Sequence, residues 1–189
     1  MAKITTMKEL FLDEVRDLYD AEKQLTKALP EMAKAAWSLE LRTAFEEHLE
    51  QTKNHVTRLE RIFDEMGEKP TGKKCAAMTG LIKEGNEMVD QSEETAVRDA
   101  GLIAAAQKVE HYEISGYGSA MTHAEILGNS KAVRLLEETM HEETATDKRL
   151  TALAQNMINN EAAGRSNTAG SGSIRPMTRT AGGFSREEE

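Results

Sequence analysis

Four separate stretches of the chain carry apolar residues at alternating spacings of three and four, and each seam is broken near its middle by acids or histidines, never by Lys or Arg. Such steps keep side chains on one face of an α-helix, so each stretch reads as a helix with polar groups inside its buried stripe. The first seam runs Phe11, Val15, Leu18, Glu22, Leu25, Leu29, Met32. The second runs Leu41, Phe45, His48, Thr52, His55, Leu59, Ile62, Met66. The third, Ile103, Ala106, Glu110, Glu113, Tyr117, Ala120, Ala124, places two carboxylates one turn apart, and the fourth, Val133, Leu136, Met140, Glu143, Asp147, Leu150, Ala154, Met157, repeats the arrangement.

Burying a carboxylate costs several kcal/mol unless it is protonated, paired or neutralised by a cation. Glu22, Glu110, Glu113, Glu143 and Asp147 on interior stripes therefore demand compensation. Two divalent ions would supply four positive charges, and oxygen with imidazole donors suits iron or manganese better than copper or a thiolate-bound metal. Di-metal helical bundles use one Glu from each of two helices and Glu-x-x-His from each of the other two. Glu22 and Glu110 suit the single-Glu roles. The remaining helices depart from the plan. Gln51 shares a face with His48 and His55 where a carboxylate is expected, and Thr146 stands at the histidine spacing after Glu143, with Asp147 next to it.

Each residue also has a plainer reading. A lone histidine on an apolar helix face is ordinarily a hydrogen-bonded core residue. Glu113 could bond Tyr19 or Tyr117, and Asp147 could pair with Arg149 or Lys148 at the surface. The methionines read as core filler.

The composition points to an all-α fold: aromatics are 4%, prolines number three, and helix-forming Ala, Leu, Met, Glu, Lys and Gln dominate. A net charge of −9 argues against a nucleic-acid partner. No stretch approaches the roughly 20 apolar residues of a membrane span, and the first ten residues lack a signal-peptide core, so a cytoplasmic location is expected. Cys75 is the one cysteine and reads as a small buried side chain.

The first helix should begin near Thr6 or Met7, where Thr6 and Glu9 have capping-box spacing. Pro30 should kink or break it, with helix resuming over Met32 to Trp37. A turn around Ser38 leads to a second helix ending near Met66, before Gly67 and Pro70. A short helix around Ala77 to Val89 lies within a long crossover, followed by helices over about Val97 to Leu127 and Ser130 to Glu161. Residues 1–163 thus form one antiparallel four-helix bundle, with the second and third long helices parallel. Residues 164–189 are rich in Gly, Ser, Thr and Arg and read as a disordered tail, in which Ser171 to Pro176 is a candidate docking peptide for a protein partner.

The run from Val97 to Gly118, containing Val109-Glu110-His111-Tyr112-Glu113 and Gly116-Tyr117-Gly118, resembles the signature of the YciF-type bacterial stress-response proteins. Tyr19-Asp20-Ala21-Glu22-Lys23-Gln24-Leu25, the Leu29-Pro30 pair, and Glu142-Glu143 with Thr146-Asp147 resemble the same family, over about residues 4–160. The resemblance implies a ferritin-like fold and a dimeric, cytoplasmic protein with a dinuclear metal site. It supports Glu22, Glu110, Glu113 and Glu143 as ligands, with His55, Asp147 and His48, and it places Gln51 where the family commonly has Glu. The reading that follows is a bundle binding two iron or manganese ions per chain and reacting with oxygen or peroxide. Glu110 or Glu113 would bridge the ions, Glu22 and Glu143 would cap one each, and His55 would supply nitrogen. The rival expectations are a non-catalytic helical stress protein, and a cargo or adaptor docking through its tail.

Overall fold

The computed structural model describes residues 3–165, and every regular element among them is helical. The elements are α1 (Met7–Ala35), α2 (Leu39–Met66), α3 (Ala76–Gln91), α4 (Ala96–Ile126) and α5 (Ser130–Leu153), which passes through a π-helical turn (Ala154–Ile158) into α6 (Asn159–Ala162). Local chemistry sets these limits. The Glu9 N–H donates to the Thr6 hydroxyl while the Thr6 N–H donates to the Glu9 carboxylate, closing a reciprocal cap at the start of α1. Ser38, Thr95 and Asn129 cap α2, α4 and α5 through their side-chain oxygens. Gly67 stops α2 at φ 69°, a left-handed conformation that glycine adopts without strain, and the Glu68 N–H reaches back to the Phe63 carbonyl.

Of the kink or break expected at Pro30, the break does not occur, since α1 runs on from Met7 to Ala35. Pro30 lies on the exposed face, where solvent can satisfy the carbonyl that its missing N–H leaves unpaired.

Side-chain pairs fix the helix directions. Tyr19 meets Glu60 and Glu22 meets His55, so α1 and α2 are antiparallel. Glu47 meets Arg149 and Arg58 meets Glu142, so α2 and α5 are antiparallel as well. The long helices pack in the cyclic order α1, α2, α5, α4, which puts α2 and α4 on a diagonal and parallel. The crossover helix α3 lies outside, against α1 and α4. Gly101 permits this approach, since a Cβ there would come within 2.4 Å of the Met88 sulfur.

The interior divides along the helix axes. One apolar cluster contains Leu25, Leu29, Leu41, Phe45, Leu102, Ile103 and Leu150; the other contains Phe11, Val15, Leu18, Leu59, Ile62, Phe63 and Leu136. All four long helices contribute to both clusters. Each large apolar side chain stabilises the fold by about 1.5–3 kcal/mol on burial, so the two clusters can support a polar layer between them. The π-helical turn shifts the last part of the fourth seam by one residue. Ile158 is consequently 1% exposed in the first cluster, where the heptad spacing put Met157.

Among the described residues no helix is long and apolar enough to cross a membrane. The expected tail and the docking peptide at Ser171 to Pro176 lie outside those residues.

Candidate metal centre

Between the apolar clusters lie Glu22 from α1, His48, Thr52 and His55 from α2, Glu110 and Glu113 from α4, and Thr139 and Glu143 from α5, all buried. Two overlapping groups of donor atoms converge there. One comprises His48, Glu110, Glu113 and Glu143; the other comprises Glu22, His55 and Glu143, and within each group the atoms lie within 4.8 Å of one another. Glu143 is common to both.

The inner nitrogens of the histidines face carboxylates without hydrogen-bond geometry. His55 Nδ1 is 2.9 Å from Glu143 Oε1 and 3.3 Å from Glu22 Oε1, and His48 Nε2 is 3.3 Å from Glu110 Oε1 and 3.6 Å from Glu143 Oε2. Both nitrogens lack a hydrogen-bond partner, as do both oxygens of Glu113 and Glu143 and one oxygen each of Glu22 and Glu110. Buried polar atoms are nearly always satisfied. A layer in which this many are not, all aimed at one another, has the donor set of a cation site.

The outer nitrogens are fixed. His55 Nε2 lies 2.8 Å from Glu142 Oε2, which also accepts from Arg58 at 2.6 Å. His48 Nδ1 lies 3.3 Å from Gln51 Oε1 and 3.2 Å from the Thr146 hydroxyl. Acceptors at the outer nitrogens favour protons there and leave the inner lone pairs free for a metal. Tyr117 adds a third constraint, its hydroxyl donating to Glu22 Oε1 at 2.5 Å.

The electrostatics agree. Burial pushes Glu22, Glu110 and Glu113 above the ordinary carboxylate range, and the surrounding acids push Glu110 and Glu113 well above it. Burial opposes charge on His55, but Glu22 and Glu143 outweigh it and raise its pKa to about 11. Burial would also raise Glu143, yet the neighbouring His55 and His48 hold it below its usual value. Burial and the Glu22 charge keep the Tyr117 phenol protonated.

Six of the residues that the seams single out, Glu22, His48, His55, Glu110, Glu113 and Glu143, thus meet in one layer. Asp147 does not join either group. It lies one turn beyond Glu143 and is partly exposed, accepting from Gln107 Nε2 at 3.0 Å with His111 at 3.4 Å rather than pairing with Arg149 or Lys148. Gln51 Oε1 faces the outer nitrogen of His48, Nδ1, at 3.3 Å. Glu113 bonds neither Tyr19 nor Tyr117, whose hydroxyls go to Glu60 and Glu22. The outer partners Glu142 and Arg58 carry no periodicity signal, because they flank the seams rather than occupy them. Cys75 is buried as expected, and its sulfur additionally accepts from the Met78 N–H at the start of α3.

An all-helical protein with a buried layer of acids and histidines is the class that fold and site define. The chain belongs to the family described as Domain of unknown function (DUF892), which matches residues 6–163. It is 49% identical over 158 residues to Protein YciF of Escherichia coli (strain K12), covering 83% of this chain and 95% of that protein. The crystal structure of the E. coli stress protein YciF superposes with a TM-score of 0.79 at 48% identity, covering 82% of this chain and 99% of the other. YcfI from Rhodopseudomonas palustris superposes with a TM-score of 0.76 at 42% identity, covering 79% of this chain and 95% of the other.

Proposed function

We propose that this protein is a ferritin-like bundle that holds two divalent ions, iron or manganese, in its mid-bundle layer and uses them to consume oxygen or peroxide under stress. The observation that carries this reading is the convergence of unpartnered carboxylate and imidazole atoms in two groups that share Glu143. Their charges also balance: Glu22, Glu110, Glu113 and Glu143 bring four negative charges, and two divalent ions bring four positive ones. Asp147 is not needed for this balance.

In the proposed assignment His55 and Glu22 serve one ion, His48, Glu110 and Glu113 serve the other, and Glu143 serves both. This gives the shared position to Glu143 instead of Glu110 or Glu113. Bound ferrous or manganous ions would supply the electrons that reduce an O–O bond. The protein's own residues do the rest. Glu142 and Gln51 orient the two imidazoles, Tyr117 holds Glu22 in place, and the apolar clusters above and below exclude bulk water. Glu110 and Glu113, protonated when no ion neutralises them, release their protons as ions bind.

The homodimeric state and cytoplasmic location come to this reading from the family resemblance. Its test is peroxide consumption by protein loaded anaerobically with ferrous iron. The parent should consume about one peroxide per two ferrous ions, the O–O bond going with two protons to two waters as both ions become ferric, and the Glu22→Ala/Glu110→Ala double variant should not. Equal consumption by both would refute the assignment.

A further inference from the structure

At the end of the molecule where the described chain stops, the α1–α2 turn, the start of α4 and the end of α6 border an open, shallow groove of about 470 Å³. Its apolar wall is Trp37 and Val97, with Ala96 and Ala162, and its acids are Glu93 and Glu161. Trp37 is 44% exposed and Val97 56%, and neighbouring Leu39 reaches 68%. Exposure of this kind is not looseness. The Trp37 and Ser38 N–H groups donate to the buried Asp99 carboxylate at 2.8 and 2.7 Å, which holds the turn and presents the indole to the outside. A fixed, exposed tryptophan in an acid-rimmed apolar groove is built to be covered.

The chain itself supplies a complementary segment. Glu161 and Ala162 line the groove, and the chain continues for 24 residues past Arg165. From 166 to 186 that continuation contains Arg175, Arg179 and Arg186 and no acid. It also contains Ile174-Arg175-Pro176-Met177. Ile174 and Met177 supply apolar side chains and Arg175 a cation. Eight residues lie between Arg165 and Ile174, a reach of up to roughly 30 Å, enough to return to a groove that begins three residues before Arg165.

We propose that Ile174 to Met177 of this chain docks in the groove between Trp37 and Val97, with Ile174 and Met177 on the apolar wall and Arg175 facing Glu161 and Glu93. The contact covers the indole in cis. It leaves the mid-bundle layer untouched and holds whether or not ions bind there.

Trp37 is the one tryptophan of the chain, so its fluorescence reads the groove directly. Emission and acrylamide quenching are compared, across a dilution series, for the full chain and its Ile174→Ser/Met177→Ser and Arg175→Glu variants. The parent should show a shielded indole at every concentration. Both variants should shift emission to the red and lose protection from acrylamide with unchanged helical circular dichroism, and Glu161→Arg should restore shielding to Arg175→Glu. Identical emission and quenching in parent and variants would overturn the proposal. So would parent shielding that fades on dilution, which would assign the groove to a second copy of the chain.

Discussion

His55 and Glu143 face each other in the centre of the protein, Nδ1 to Oε1 at 2.9 Å, both fully buried and neither completing a hydrogen bond through those atoms. The pair holds its charges because each stabilises the other: Glu143 raises the imidazole pKa and His55 lowers that of the carboxyl. When no ion is bound, the imidazolium is the cation nearest to Glu22 and Glu143. A metal ion bound as proposed would therefore displace a proton from His55 as well as from the raised carboxyls.

The stability of metal-free protein should fall as pH rises above 4.5, and further from 6.5 towards about 11. Glu22, Glu110 and Glu113 have raised folded values, so their contribution is complete below the ordinary 4.5 and is lost as pH rises through the raised values. His55 acts in the same direction, complete below 6.5 and lost as pH rises through about 11. Glu143 is depressed and contributes above 4.5, an effect lost only in acid. Metal affinity should run the other way and increase with pH, because every ligand must lose its proton. Thermal melts with chelator and with manganese at several pH values check both slopes.

Glu113→Gln should separate stability from binding. Neither Glu113 oxygen has a hydrogen-bond partner, and burial already favours its neutral form. The amide keeps the shape and removes the charge, so metal-free protein should melt higher than the parent at about pH 8, while metal affinity falls. A lower melting temperature together with unchanged affinity would make Glu113 a structural residue.

Glu142→Gln and Arg58→Ala should weaken metal binding without touching a ligand. Glu142 fixes His55 through Nε2, and Arg58 fixes Glu142 through bonds of 2.6 and 2.9 Å. Loss of an outer partner of a ligating histidine costs about 10–100-fold in affinity. Competition titration against a chelating dye measures it, and parental affinity in both variants would contradict the role given to this pair.

Asp99→Ala tests the frame. The fully buried carboxylate accepts the Trp37 and Ser38 N–H groups, joining α4 to the α1–α2 turn. Its removal leaves two donors unsatisfied, at about 1–3 kcal/mol each, and chemical denaturation should report a loss of about 2–5 kcal/mol.

Spacing made the layer legible because side chains on one helix face must share its interior. Glu22, His48, His55, Glu110, Glu113 and Glu143 needed only the alternation of three and four to be found. Asp147 shows the limit of that rule. It continues the seam of Glu143, yet one further turn moves it along the axis and out of the layer, to Gln107 and His111. Gln51 was visible as a departure from the usual ligand pattern, but its role as the partner of His48 depends on a rotamer that no spacing encodes. Asp99 was missed because its partners are backbone N–H groups about sixty residues away. The π-helical turn that brings Ile158 inward is likewise set by packing at the end of the bundle.

Metal content per chain, by elemental analysis after anaerobic loading with iron or manganese and desalting, tests the central claim most directly. The two groups sharing Glu143 predict about two ions per chain in the parent and loss of both in Glu143→Ala, against loss of one in Glu22→Ala. A parent that retains no metal, or a Glu143→Ala variant that retains two ions, would contradict the account.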